Sequence, residues 1–414
     1  MGGRSLALHS MEGFVSILGL GAFVVMAWLL SENRRRFPWR IVASGVALQF
    51  VLGWLMLRTQ GGETFFAWLD KAFRRLLSFA DEGIRFVFGN TNTPVVALII
   101  TGSIILVSAL SSLLYHFGVL QGVVKAAAWI MRRVMRTSGS ETLAAAANIF
   151  MGQTEAPLLI KPYLVGMTRS ELMCLMVGGM ATIAGGVLAA YVSFGVSAGH
   201  LLTASVMSAP AAMMMAKILL PETQVSETAH GANKPVERET VNAVDALCQG
   251  AGDGMKLAMN VLAMLVAFVG VVALSNYLLS LGLRVLGQSV PQPLNVLLGW
   301  LNAPCAWLMG VPWNECGKAG ALLGERIVLN EFIAYLHLAE QAKAAALTPR
   351  TAEVLTYALC GFANFASIAI QIGGIGALVP ERRQELAKLG FKAMLGGLLA
   401  CYSTACVAGM LMRS

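Results

Sequence analysis

The fold class this sequence predicts is an all-α polytopic membrane protein with about eight transmembrane helices, two re-entrant helical hairpins of opposite orientation, interfacial helices and an inverted repeat. Three observations predict it. Of the 414 residues, 57% are hydrophobic and only 13% charged, with mean hydropathy +0.69, too few charges to cover the surface of a water-soluble chain of this length. Charge-free runs are long: Leu172 to Ala216 holds no Asp, Glu, Lys or Arg, enough at about 1.5 Å per helical residue to cross a roughly 30 Å hydrocarbon core twice, with the turn near Ser197–His200. Glu155 and Glu331 lie inside apolar segments with no Lys or Arg in the adjoining turns. A carboxylate at the bilayer centre costs about 2.5–3.5 kcal/mol on the insertion scale, so two of them imply that something polar enters the membrane.

In chain order, Gly13–Leu30 and Ile41–Leu57 read as spans. Met1–Leu30 lacks a small-residue cleavage site and precedes the cluster Arg34-Arg35-Arg36, so it reads as a retained anchor, and a second Met-Glu at Met11 lets residues 1–10 be read as an expression scar. Glu63–Phe88 mixes Phe65, Phe66, Trp68, Phe73, Leu76 and Leu77 with charges at helical spacing, the pattern of an interfacial helix. A third span covers Pro94–Phe117. Val119–Arg136 places Lys125, Arg132 and Arg136 on one face, with Trp129, Ile130 and Val134 elsewhere, as a second interfacial helix. Residues 138–166 are too polar in the middle, and too interrupted by Gly152, Pro157 and Pro162, for a simple span. A re-entrant hairpin fits, because non-helical backbone at membrane depth is tolerated only where protein or a cavity satisfies it. A broken helix over 170–196, a span at Leu201–Leu220 and the polar loop Pro221–Thr240 follow.

The second half repeats this order: a span at Leu257–Leu283, a surface segment with Pro291, Pro293, Pro304 and Pro312, a hairpin over 315–345, a broken helix over 352–379 and a last span at Ala393–Met412. Gly179-Met-Ala-Thr182-Ile-Ala-Gly185 matches Gly361-Phe-Ala-Asn364-Phe-Ala-Ser367 at an offset of 182 residues. The first hairpin starts from the inner side and the second from the outer, so the copies are inverted, and inverted repeats with interrupted helices place a binding site at the midplane of a transporter.

The net charge of +8 is split among short loops and forms no basic stripe, which argues against nucleic acid. Arg34–Arg36 with Arg40, then Arg132, Arg133 and Arg136, then Arg382, Arg383, Lys388 and Lys392 mark three cytoplasmic loops and put both termini outside. Lys71, Arg74, Arg75 and Arg85 fall on the opposite side and are outvoted. Seven cysteines, an odd number without metal-ligand spacing to His, read as small packing residues.

Gln153 offers donors and an acceptor and Glu155 only accepts, so together they suit the mixed edge of a nucleobase; the competing reading is a tip that caps its own helix ends. Glu331, beside Asn330, suits a diol such as ribose, or else carries a proton without touching a ligand. The stretches Gly178–Gly186 and Gly361–Ser367 invite breaks that expose Thr182, Asn364 and Ser367, although small residues also serve close helix packing. Phe362 and Phe365 flank Asn364, where one ring has room to stack on a base. Gly373-Gly-Ile-Gly376 follows no strand and is helix packing, not a dinucleotide fingerprint. An embedded enzyme finds no nucleophile–base pair, metal cluster or phosphate loop in the sequence, and a channel would need no saturable site.

Gly152-Gln-Thr-Glu-Ala-Pro157 with Pro162-Tyr163, Asn330-Glu331-Phe332, the run Ala358–Gly376 and Gly83-Ile-Arg-Phe-Val-Phe-Gly89 resemble the signatures of the concentrative nucleoside transporters in their short bacterial form, over essentially the whole chain. The resemblance implies a homotrimeric cation–nucleoside symporter, not an enzyme, in the bacterial inner membrane, taking nucleosides of the uridine, cytidine and adenosine class. It implies a scaffold (mainly 1–117, with the loop and helix of 223–284) and a transport domain built of repeats 118–222 and 285–414 that moves as an elevator. By the same resemblance Gln153, Thr154 and Glu155 contact the base, Glu331, Asn364 and Ser367 hold the ribose, and Phe362 borders the site. The family's sodium site falls on Asn148, Met151, Thr182 and Ile183, through side-chain oxygens of Asn148 and Thr182 and backbone carbonyls. Gln-Thr-Glu, where proton-coupled relatives carry Gln-Ser-Glu, favours sodium over the alternative of proton coupling.

Overall fold

The computed structural model describes residues 2–89, 96–229, 231–232, 240–285 and 287–412; within them, side chains are described from residue 12 onward, apart from 96 and 268. Two apolar helices come first, α1 (Gly2–Leu29) and α2 (Trp39–Leu57). α3 (Gln60–Phe88) starts where the Thr59 hydroxyl accepts from the Gly62 amide at 3.0 Å, satisfying one of the donors a helix start leaves free. α4 (Val96–His116) and α5 (Val119–Met135) follow. On α5 the buried residues are Val124, Met131 and Met135, a helical stripe facing the protein, while Trp129, Ile130 and Val134 point outward. The Pro94 start of the third expected span lies outside the described residues.

The first hairpin consists of α6 (Gly139–Asn148), a tip over 149–155, α7 (Ala156–Leu159) and a 3-10 turn at Lys161–Tyr163. α8 (Arg169–Ala181) and α9 (Gly185–Ser193) are the halves of one broken span, and α10 (Ala198–Leu219) returns across the bundle. α11 (Ala243–Val285) is followed by α12 (Pro293–Leu308) and α13 (Trp313–Val328), which meet at 116°. α14 (Glu331–Lys343) completes the second hairpin, α15 (Pro349–Leu359) and α16 (Phe365–Leu378) form the second broken helix, and α17 (Arg383–Leu411) closes the chain.

Layering follows from burial. The α8–α9 span is 94% buried inside the protein and that of α11 only 6%, so the first broken helix, α10, α15 and α17 form an inner layer, α16 shows it one face through Ser367, Gln371 and Ile375, and α11 turns Val266, Leu274 and Tyr277 outward. In lipid this is the expected sorting, since apolar side chains lose nothing by facing hydrocarbon.

Two elements differ from the sequence expectation. The proline-bearing surface segment is a continuous helix, α12, because Pro293 sits at its first turn, where no N–H is needed, and Pro304 is accommodated inside it. α11 begins well before Leu257, because Gly250 and Gly254 let the α4 backbone approach: a Cβ on Gly250 would stand 2.7 Å from the Ser108 carbonyl oxygen. Among the described residues seven spans are long and apolar enough to cross, α8 with α9 counting as one, and the broken helix expected over 352–379 is present as α15 and α16. In the polar loop, residue 230 and 233–239, including Lys234, Glu237, Arg238 and Glu239, lie outside the described residues.

The two breaks superpose in conformation as well as in sequence. Thr182 (φ −127°, ψ 171°) and Asn364 (φ −143°, ψ 169°), 182 positions apart, both leave the helix in extended backbone. They also touch: the Phe362 amide donates to the Thr182 carbonyl at 3.3 Å.

Candidate functional site

Asn364 is the hinge of the site. Its Oδ1 accepts from the Ser367 amide at 2.8 Å, capping α16, and this fixes its Nδ2 to face away, where it donates to Glu331 Oε2 at 2.8 Å. Glu331 stands at the first position of α14, which Asn330 caps by accepting from the Ile333 amide at 3.0 Å. The other carboxylate oxygen, Oε1, accepts from the Tyr191 hydroxyl at 3.1 Å. From the first tip, Gln153 Nε2 donates to Ser367 Oγ at 3.1 Å, and Gln371 Nε2 donates to Gln153 Oε1 at 3.1 Å and to the Met176 carbonyl at 3.0 Å. One line of hydrogen bonds, Tyr191–Glu331–Asn364–Ser367–Gln153–Gln371–Met176, therefore joins both hairpin tips and both broken helices. Glu331 is 5% exposed, so this polar line is buried.

Thr154 and Glu155 lie on the open side of the first tip, both exposed. Glu155 Oε2 accepts from the Gly152 amide, so the acid caps its own tip while remaining accessible. Phe362 is half-buried at the second break. Phe365 instead points out and stacks on Phe391 with centroids 6.4 Å apart, which leaves Phe362 as the ring near Asn364. Gly374 lies against Thr154, with a built Cβ 3.3 Å from its Cγ2, so the glycine run serves close packing there.

Asn148 is 1% exposed, yet neither polar atom of its amide has a hydrogen-bond partner. A buried orphan amide is costly unless something else binds it. Gly178 makes the room it occupies, since a Cβ there would stand 3.0 Å from Asn148 Nδ2, and the Thr182 hydroxyl donates to the Gly178 carbonyl at 2.9 Å, leaving its oxygen lone pairs free. Met151 and Ile183 lie in the tip and the break, outside the helical ladders that would otherwise claim their carbonyls. The Gly185 amide donates to the Phe150 carbonyl at 3.3 Å, tying tip to break. These uncharged oxygens fit a hard monovalent cation such as sodium. Among the described residues there is no cluster of three His, Cys, Asp or Glu for a harder or softer metal.

Residues 18–91 match the family profile described as "Na+ dependent nucleoside transporter N-terminus", residues 97–198 match "Nucleoside recognition", and residues 200–409 match "Na+ dependent nucleoside transporter C-terminus". The chain belongs to this family. It is 40% identical over 403 residues to the uncharacterized transporter YutK of Bacillus subtilis, covering 95% of this chain and 98% of that protein. It is equally 40% identical to solute carrier family 28 member 3 of Rattus norvegicus, covering 97% of this chain but only 59% of the rat protein, so it spans about three-fifths of that longer relative. The solved structure of CNTnw in an inward-facing substrate-bound state superposes with a TM-score of 0.90 at 36% identity, covering 97% of this chain and 98% of that one. A doubly substituted CNTnw in an outward-facing state gives 0.91 at 36% identity, covering 97% and 99%. Membership in this family of concentrative nucleoside transporters makes the chain a membrane-embedded transporter, not an enzyme, and its family is sodium-dependent.

Three residues of the site escaped sequence reasoning. Gln371 and Tyr191 are single polar groups inside apolar helices, where periodicity carries no signal about them. Arg326, fully buried five residues before Glu331, overturns the reading that no basic residue attends that acid. It donates to the Gly361 carbonyl at 3.3 Å, to the Ala358 carbonyl and to Cys401 Sγ at 3.1 Å, so it satisfies the carbonyls that the end of α15 leaves unpaired and puts a cation at that helix C-terminus. Cys401 is thus a polar partner and not packing alone.

Proposed function

We propose that this transporter imports nucleosides across the bacterial plasma membrane by sodium symport with elevator-type alternating access. The observation that carries the reading is the hydrogen-bonded line that joins two hairpin tips to two broken helices, because it presents an acceptor-only carboxylate and an oriented amide at one buried place. Glu331, Asn364 and Ser367 hold the ribose hydroxyls, Gln153, Thr154 and Glu155 meet the base from the first tip, and Phe362 borders the ring. Sodium is a co-transported substrate held by Asn148, Thr182 and the Met151 and Ile183 carbonyls. It favours the closed first tip, and coupling is then the difference in nucleoside affinity between sodium-loaded and sodium-free states. The repeats 118–222 and 285–414 move against a scaffold of 1–117 and 223–284, with both termini outside. The outward apolar face of α11 supplies contacts between subunits of a homotrimer. CNTnw, solved in inward-facing, intermediate and outward-facing states, supports alternating access by analogy.

Proton coupling is the alternative, with Glu331 as carrier; the orphan amide of Asn148 favours sodium. Labelled uridine uptake into proteoliposomes decides between them. Uptake should rise severalfold with an inward sodium gradient, and equal uptake with a proton gradient alone would transfer the coupling role to protons.

A further inference from the structure

Gln371 is not among the residues assigned to the ribose or the base, yet its amide sets which way Gln153 faces. Met176 offers a backbone carbonyl, which only accepts, so the atom of Gln371 that faces it must be the nitrogen. That same nitrogen faces Gln153 at 3.1 Å, so the atom of Gln153 presented to it must be the oxygen. Gln153 is then left with its nitrogen toward Ser367, at 3.1 Å, with one N–H to spare. The parity of donors and acceptors, started from a carbonyl that has no alternative role, propagates through two side-chain amides.

The space for this relay is built in. A Cβ on Gly179 would stand 2.7 Å from Gln371 Nε2 and 2.9 Å from Gln153 Cβ, so α8 has no side chain where the two amides meet. Gln371 is 1% exposed and its own oxygen has no hydrogen-bond partner, so its orientation comes from its nitrogen's two bonds and from nothing opposite.

From this geometry we infer that Gln371 is a positioning and specificity-determining residue: it locks Gln153 as a hydrogen-bond donor to the nucleobase. The inference rests on Gln153 meeting the base. Glu155, on the same tip, can only accept. The pair therefore selects a base edge that presents an acceptor to Gln153 beside a donor to Glu155, as the O4 and N3–H groups of uracil do. With Gln371 removed, the Gln153 amide is free to flip and the selection for that order of groups is lost.

A double-mutant cycle on uptake, normalised to inserted protein, tests this, using Gln371→Leu, Gln153→Ala and the combination. Gln371→Leu is expected to raise the KM for uridine on the order of tenfold, the worth of one oriented hydrogen bond, with the maximal rate changed less than about twofold. On the Gln153→Ala background it should add nothing further. Gln371→Glu, of the same shape but with oxygens facing the Met176 carbonyl, should be at least as impaired as the leucine variant. An equal effect of Gln371→Leu in both backgrounds would show a role in packing only and overturn the inference, as would a leucine variant with native KM. Native transport by Gln153→Ala alone would instead remove the base-contacting role of Gln153, on which the inference depends, and is recognisable because it requires no change at Gln371.

Discussion

Glu331→Gln isolates the charge of the site from its shape. The two partners of Glu331 differ in what they tolerate: Asn364 Nδ2, at 2.8 Å, must donate, whereas the Tyr191 hydroxyl, at 3.1 Å, can rotate to accept. The glutamine therefore settles with its oxygen toward Asn364 and its nitrogen toward Tyr191, and the cap of α16 and the fold survive. What disappears is the ionised acceptor for the ribose. A hydrogen bond to a charged group is worth about 1.5–3 kcal/mol against about 0.5–1.5 for a neutral one, so each hydroxyl loses on the order of 1 kcal/mol. Two hydroxyls lose about 2–3 kcal/mol, which lowers kcat/KM for uridine roughly 30- to 150-fold, each 1.4 kcal/mol being a factor of ten. Initial rates of labelled uridine uptake in proteoliposomes measure it, with 2′-deoxyuridine as a second substrate. The penalty should shrink by about tenfold for the deoxy substrate, since one of the two bonds is already missing. An identical penalty for both substrates, or a Glu331→Gln protein that transports at the native rate, would refute the ribose assignment.

Three further outcomes follow from particular contacts. Asn148→Leu removes an amide without hydrogen bonds, so thermal stability in detergent should hold or rise, while the sodium stimulation of uptake falls by tenfold or more; a variant still stimulated by sodium would move the cation elsewhere. Gly361→Ala puts a Cβ 2.7 Å from the Met180 carbonyl oxygen at a φ of +155°, and as neither backbone can yield, a loss of about 1–3 kcal/mol should appear as a melting temperature several degrees lower with little folded protein recovered. Glu32, in the loop between α1 and α2, is held below the usual carboxylate range: burial pushes its pKa up, but Lys392 at 2.9 Å and Arg169 at 2.9 Å outweigh it. Because the folded value is depressed, the stability gained is present above the unfolded value of about 4.5 and lost as pH falls through the folded one. Glu32→Gln should thus melt lower than the native protein at pH 7, by less than about 1 kcal/mol for so exposed a cluster, and the gap should close on acidification below 4.5.

Much of the architecture was legible because lipid enforces it. Long apolar runs leave the backbone no choice but helix, and the polar interruptions at 149–155, 182–184 and 360–364 had to be breaks or tips, since nothing else satisfies them at depth. The matched Thr182 and Asn364 revealed the repeat. Glu331, Asn364 and Ser367 were findable because a buried polar group in a membrane is conspicuous. Hydropathy could not show the partners: Gln371 and Tyr191 each look like a minor polar lapse in an apolar helix, and only the fold puts the first against Gln153 and the second against Glu331. Arg326 was hidden for the opposite reason, because it sits among ordinary charged residues of α13 and its burial depends on the end of α15 arriving beside it. The helix through Pro304 was obscured by treating every proline as a breaker, whereas a helix within a bundle tolerates one internally.

The most direct test of the central claim is a titration of purified protein with uridine at several sodium concentrations, at constant ionic strength. Sodium and nucleoside that share the two tips and two breaks must each tighten the other, so the Kd for uridine should fall as sodium rises until the cation site saturates, and the apparent sodium affinity should rise by the same factor with uridine present. A uridine Kd that is the same with choline in place of sodium would contradict the account.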